Sequence, residues 1–308
     1  MFRNARTPAL IALCAAVATT AALTGCAEKT KAGGLDTVSG RSASSAERKP
    51  ATFTGAKKID VNGLKINVSC SGSPQKGKPV VVLLHGGGDN LKKFAGLQKT
   101  LGERERVCSY DRLGAGASDK PVKKQTLNDA GKVLTGVIDH VAGDSGAVLA
   151  GHSLGGLIAG RYAPGHQDKV KGVVLMDATS PTQIADLHRE IPADATGMAA
   201  QLRDETLAVF RGADPEKLVV RDAKVRSAGD IPVQVIQHGV KYLEQVPEYG
   251  PGLEQAWADG QRKWLALSGR SALGTAQKSE HYIYLDQPDV AVTAILQVAA
   301  QAAAQGQG

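Results

Sequence analysis

The segment Gly151-His152-Ser153-Leu154-Gly155-Gly156 sets a hydroxyl among glycines at a spacing suited to nucleophilic chemistry. A serine hydroxyl attacks a carbonyl only when a base removes its proton and when it stands clear of the main chain. The flanking sequence supplies the second condition. Ala147–Ala150 reads as a short buried strand and Leu154–Tyr162 as a helix. A serine at so sharp a strand-to-helix turn is lifted above the sheet edge, and the glycines permit a strand–helix approach that a Cβ would block. The first N–H groups of the helix, that of Leu154 foremost, have no intrahelical partner and offer a positive dipole end to a developing oxyanion. The same pattern also fits a glycine-rich turn whose serine merely caps the helix. For the base there are seven histidines, His85, His140, His152, His166, His188, His238 and His281, and a neutral imidazole near pH 7 can take and return a proton.

These groups need a frame, and the hydrophobic pattern describes one. Lys58–Val61 and Leu64–Cys70 form a predicted hairpin about Asn62-Gly63. Pro79–Leu84, Arg106–Tyr110, Val170–Met176, Ile231–Ile236 and Leu273–Ala276 are further predicted strands. Several are unbroken apolar runs, as strands covered on both faces should be. Helices are predicted over Leu91–Leu101, Leu127–Val141, Gly252–Leu267 and Val290–Ala303, with fraying after Gln301. Alternating strands and helices imply a mainly parallel sheet flanked by helices, an α/β fold. Residues 180–229 break the alternation; they are charged, helical and strandless, and predict a small cap inserted after the sixth strand. Within it Arg203, Asp204 and Glu205 are expected on a solvated face. Trp257 and Trp264, seven apart on one helix, are expected in the core.

Composition narrows the function classes. The chain has 308 residues, 42% hydrophobic and 22% charged, which are globular proportions. Its net charge of +7 is concentrated near the N-terminus. Arg3, Arg6 and seven Lys/Arg in 27–58 leave 28 basic against 27 acidic residues in 59–308. The body is nearly neutral, so no nucleic-acid partner is expected. No dinucleotide fingerprint, phosphate loop or metal-ligand spacing occurs, and no cofactor or metal is expected. Arg3 and Arg6 precede an apolar run from Ala9 to Leu23, too short to span a bilayer and fitting a secretory signal. The run ends at Leu23-Thr24-Gly25-Cys26, which resembles the lipobox of bacterial lipoproteins. That resemblance implies a signal peptide over 1–25, lipidation of Cys26 and an extracytoplasmic, membrane-anchored protein. Residues 26–55, rich in Ser, Ala, Gly, Thr and Lys, read as the tether. Of the remaining cysteines, Cys14 leaves with the signal, while Cys70 and Cys108 are expected either to form a disulfide or to stay as buried thiols.

The body over 56–308 resembles the α/β-hydrolase-fold serine hydrolases. Besides the Ser153 motif, the likeness rests on three stretches. His85-Gly86-Gly87-Gly88 follows PVVVLL, and similar loops in the family put a backbone N–H in the oxyanion hole, here that of Gly87 beside Leu154. Asp111-Arg112-Leu113-Gly114-Ala115-Gly116-Ala117-Ser118 resembles the family's structural D-x-x-G-x-G-x-S loop. The family's strand order makes a Cys70–Cys108 bridge reasonable. Ser279-Glu280-His281-Tyr282 follows the last strand, where the family keeps its catalytic histidine. The resemblance implies an eight-stranded sheet and a Ser153–His281 pair completed by an acid. After the penultimate strand, where much of the family has that acid, no carboxylate appears before Glu244. Asp177, ending the preceding predicted strand, is the favoured acid; Glu244 and Glu248 remain alternatives. The expected activity is cleavage of a small-molecule carboxylic ester or related acyl bond through an acyl-enzyme. The alternative is a binding lipoprotein that has lost catalysis.

Overall fold

Runs of β-branched and aliphatic residues build the sheet. The computed structural model describes residues 52–306. The expected signal peptide, Cys26 and most of the tether lie outside the described residues. Strands β1 (Gly55–Val61) and β2 (Leu64–Ser71) form an antiparallel hairpin. Its turn residues Asn62 and Gly63 both have positive φ, as the tight hairpin turn requires. Six further strands complete the main sheet: β3 (Val80–Leu84), β4 (Val107–Tyr110), β6 (Ala147–His152), β7 (Val170–Met176), β9 (Val233–His238) and β10 (Ser271–Ala276). The order is β1-β2-β4-β3-β6-β7-β9-β10, antiparallel at β1–β2 and β2–β4 and parallel elsewhere.

Both faces are covered, and β3 shows why its sequence is an unbroken apolar run. Val80, Val82 and Leu84 enter the core with α2 (Leu127–Val141) and α3 (Leu154–Tyr162). Val81 and Leu83 enter the opposite core with α1 (Ala95–Leu101), α7 (Ile283–Asp286) and α8 (Pro288–Gln305). All five are buried, each stabilising the fold by roughly 1.5–3 kcal/mol. Helix α2 starts at a capping box in which the Thr126 hydroxyl and the Asp129 carboxylate satisfy each other's backbone N–H groups. A disulfide joins Cys70 to Cys108, which sit opposite each other on β2 and β4 with Cα atoms 4.1 Å apart. Helix α8 continues to Gln305 instead of fraying at Gln301, because Ala299 and Ala302 still pack on the sheet.

The cap differs from expectation in three ways. It holds α4 (Gln183–Glu190) and α5 (Gly197–Phe210), but also a two-residue strand, β8 (Leu218–Val219), paired with β5 (Gln125–Thr126) outside the main sheet. Arg203 is buried, not solvated; its guanidinium donates to the carbonyl of Pro192. The third difference is the largest. A 3-10 turn over Tyr242–Gln245 and helix α6 (Gly250–Lys263), from the β9–β10 connection, pack against α4 and α5 through Leu187, Ile191, Leu207, Leu243, Val246 and Leu253. Two connections, not one, therefore roof the sheet.

Candidate active site

Ser153 sits between β6 and α3 with φ 51° and ψ −121°, a conformation costly for any residue with a Cβ. The turn is forced by close approach. A Cβ on Gly151 would lie 2.5 Å from the Gly155 carbonyl oxygen, and one on Gly156 2.5 Å from the Ala178 Cβ. A Cβ on Gly155 would lie 2.1 Å from the Leu84 carbonyl oxygen. Gly155→Ala is accordingly expected to destabilise the fold by about 3 kcal/mol or more, read as a lower urea midpoint at unchanged slope. The Ser153 side chain makes no capping bond, so the helix-cap reading does not describe it. Its carbonyl instead accepts from Gly156, Leu157 and Thr179.

The glycine loop after β3 lies directly against this turn. A Cβ on Gly87 would be 3.5 Å from the Leu154 side chain, and both residues line the cavity that holds Ser153. The loop is held from behind by Arg112, which donates to the carbonyls of His85 and Gly86 and pairs bidentately with Glu216 at 2.7 and 2.8 Å. Both members of this ion pair are buried, and Glu216 belongs to the cap, so the cap and the glycine loop are tied together. His85 organises the loop as well: Nδ1 donates to the Gly86 carbonyl and Nε2 accepts from the Arg112 N–H. Burial and the adjacent guanidinium hold it far below the ordinary imidazole range, so it stays neutral. In the D-x-x-G loop, Asp111 accepts from the Leu91 N–H, the Asn67 amide and the Ala117 N–H, a structural part.

His281 follows β10 and is buried. Its Nδ1 donates to Asp177 Oδ2 at 2.7 Å. The ring packs against His152 with centroids 4.5 Å apart and edge-on to Trp257 at 5.5 Å. His152 Nε2 donates to the His281 carbonyl at 3.0 Å, which pins the loop; burial keeps this second imidazole well below its usual range. Ser153 and His281 line one cavity, and among the described residues no hydrogen bond joins them. Such bonds are often long before substrate binds.

Asp177 stands at the end of β7, fully buried, with φ 45°. Besides His281 it accepts from Trp257 Nε1 at 2.9 Å, from the His238 N–H at 3.2 Å and from His238 Nδ1, which lies 2.9 Å from both oxygens. Burial alone would raise this carboxyl; the two imidazoles outweigh it and hold Asp177 well below the usual carboxylate range. Glu244 is instead on the surface, paired with Lys241, and Glu248 is exposed. The structure brings neither to His281. Trp257 is not the core residue expected from its spacing with Trp264. Trp264 is fully buried and donates to the Thr179 carbonyl, while Trp257 lines the cavity and donates to Asp177. A tryptophan's obligatory N–H donor was the available signal. Strand β9 runs two residues further than its sequence pattern suggests, which makes His238 the strand's last residue and sets it against Asp177.

A cavity lies above Ser153, lined on the sheet side by Gly86, Gly87, His152, Leu154 and His281. Its roof is apolar, with Leu187, Val209, Phe210, Leu243 and Leu253 from the two connections. Among the described residues no group of three or more His, Cys, Asp or Glu is placed to hold a metal ion.

Residues 79–220 match the sequence family described as the alpha/beta hydrolase fold. A serine hydrolase involved in carbazole degradation superposes with a TM-score of 0.58 at 18% identity, over 81% of this chain and 99% of that one, a likeness of fold alone. The chain has the α/β-hydrolase fold. Among curated relatives of this fold, a 2-(acetamidomethylene)succinate hydrolase from Mesorhizobium japonicum is 32% identical over 40% of this chain and 43% of its own length. The human (lyso)-N-acylphosphatidylethanolamine lipase is 30% identical over 46% of this chain and 43% of its own. The chain thus spans less than half the length of these relatives. Both are hydrolases.

Proposed function

We propose that this protein is a serine hydrolase that cleaves a carboxylic ester or related acyl bond. The observation that carries the reading is the 2.7 Å bond from His281 Nδ1 to the buried Asp177, in a cavity that also holds the uncapped hydroxyl of Ser153. With Nδ1–H donated to Asp177, the other ring nitrogen, Nε2, is the basic one. It takes the Ser153 proton as Oγ attacks the substrate carbonyl. The oxygen becomes anionic against the N–H groups of Gly87 and Leu154, worth about 3 kcal/mol of transition-state stabilisation per donor. Collapse of the tetrahedral intermediate returns the proton to the leaving alkoxide, and water repeats the sequence on the acyl-enzyme. The apolar roof suits an uncharged acyl chain of small to medium size.

A fluorophosphonate probe tests the reading. One probe per chain, mapped to Ser153, is expected. A folded protein that takes up no label, or takes it elsewhere, would return the protein to the binding reading. The lack of an acid after β9 favours that alternative, and the Asp177–His281 bond favours the hydrolase. Lipid attachment at Cys26 would hold the enzyme on the outer face of a bacterial membrane. Cys26→Ser is then expected to move it from the membrane to the soluble fraction, read by fractionation of the producing cells.

A further inference from the structure

Asp177 serves two imidazoles. On one side is His281; on the other is His238, whose second ring nitrogen, Nε2, is hydrogen-bonded to Glu254. Both nitrogens of His238 thus face carboxylates. A neutral imidazole has one N–H and one lone pair, and the lone pair would then point at an anion. Only the imidazolium donates on both sides. The group is buried: the His238 side chain is 4% exposed, Asp177 0% and Glu254 11%. Glu254 is fixed in turn by the Leu243 N–H on its other oxygen.

We infer that His238 is a positioning residue held as an imidazolium between Asp177 and Glu254, extending the catalytic array to Ser153–His281–Asp177–His238–Glu254 and setting the negative charge that His281 meets. The inference rests on the function proposed above. His238 orients Asp177 by gripping both its oxygens and offsets part of its charge. Glu254 restores a negative charge one ring further out. Burial opposes a charge on His238, but the two carboxylates outweigh it and its pKa is pushed up to about 10. The ring therefore stays charged throughout the range in which an esterase base titrates, and acts as a fixed charge.

Other groups face this array from each neighbouring element and are left in place by the variants below. Tyr242, after β9, lies 4.8 Å from the His238 ring and 5.9 Å from that of His281. Trp257 comes from α6, and Lys241 acts on Glu254 from the surface. His152 from β6 and Tyr282 lie against His281. Asp89 acts on it from the glycine loop, and Glu280 acts on Tyr242.

Charge arithmetic gives two substitutions opposite signs. His238→Gln removes the cation, so Asp177 and Glu254 together hold the protonated form of the base more strongly. Glu254→Gln removes an anion and leaves the cation. The test measures kcat/KM of the full chain on p-nitrophenyl butyrate between pH 5 and 9. The midpoint of the acid limb is expected to rise by about one pH unit in His238→Gln and to fall by about half a unit in Glu254→Gln. A merely structural role predicts loss of activity with both midpoints unmoved; unmoved midpoints, or shifts of the same sign, overturn the inference. Should His238→Gln not fold, nitrogen NMR of the histidine-labelled wild type at pH 8 decides it: both His238 ring nitrogens protonated supports the inference, and a neutral ring overturns it. If activity survives Ser153→Ala, the functional reading fails and takes this one with it. If activity depends on Ser153 but the midpoints stay together, only the role of His238 fails.

Discussion

Ser153→Ala is expected to lower kcat on an apolar ester by about 10⁵–10⁶-fold, with a residual rate still about 10³-fold above that in water. The residue follows from the site's parts. Under the proposed function, the N–H groups of Gly87 and Leu154 and the apolar roof survive the substitution and would still bind the transition state of a water attack. Stability should change little. Alanine keeps the Cβ that makes φ 51° costly, and Ser153 has no side-chain cap bond to lose. Ser153→Gly should be as inactive but more stable, since glycine relieves a strain of about 1 kcal/mol, enough to raise Tm by about 2–4 °C. Steady-state kinetics and thermal melts of the two variants separate catalysis from strain. An alanine variant that keeps a tenth of the wild-type rate would exclude Ser153 as nucleophile.

The second large effect is expected at Asp177. Asp177→Asn should cut kcat by about 10³–10⁴-fold through the tautomer of His281. Oδ1 faces the Trp257 N–H and the His238 backbone N–H, two donors that cannot change role. The asparagine oxygen must take that side, which leaves its NH₂ opposite His281 Nδ1. That nitrogen then has to accept, and the proton moves to Nε2, so the ring meets Ser153 with a donor where a base is needed. The fold should persist with a loss of about 1–3 kcal/mol, because a charge partner of His238 has gone. Glu244→Gln should leave kcat within about twofold, since its carboxylate meets only Lys241 at the surface. Parallel kinetics of the two variants check this; a large loss at Glu244 with none at Asp177 would move the acid.

The local parts of the site were legible without coordinates, and for one reason. The turn at Ser153 is a short-range steric problem: a buried strand, a helix start and glycines within three residues leave the backbone few solutions. The boundaries of α2, α3 and β7 likewise follow from unbroken local patterns and match the predicted spans. The position of Asp177 beside His281 was legible because a strand end holds a side chain in one place. The parts that stayed hidden are those whose meaning comes from a distant partner. Arg203 reads as a surface charge until the carbonyl of Pro192 is seen beside it. Arg112 and Glu216 lie 104 residues apart and form one buried pair. Glu254 is a helix glutamate like any other until α6 lies across the end of β9.

What the chain's order of residues determined, then, is the α/β frame and the placement of a serine hydroxyl, an imidazole and a carboxylate at strand ends on one side of the sheet, because hydrophobic period and glycine sterics act over a few residues. What only the tertiary structure decided is the roof drawn from two connections and the use of Asp177 by two histidines at once. Those depend on contacts between segments tens of residues apart, where burial, charge pairing and the need of each donor for an acceptor are settled together.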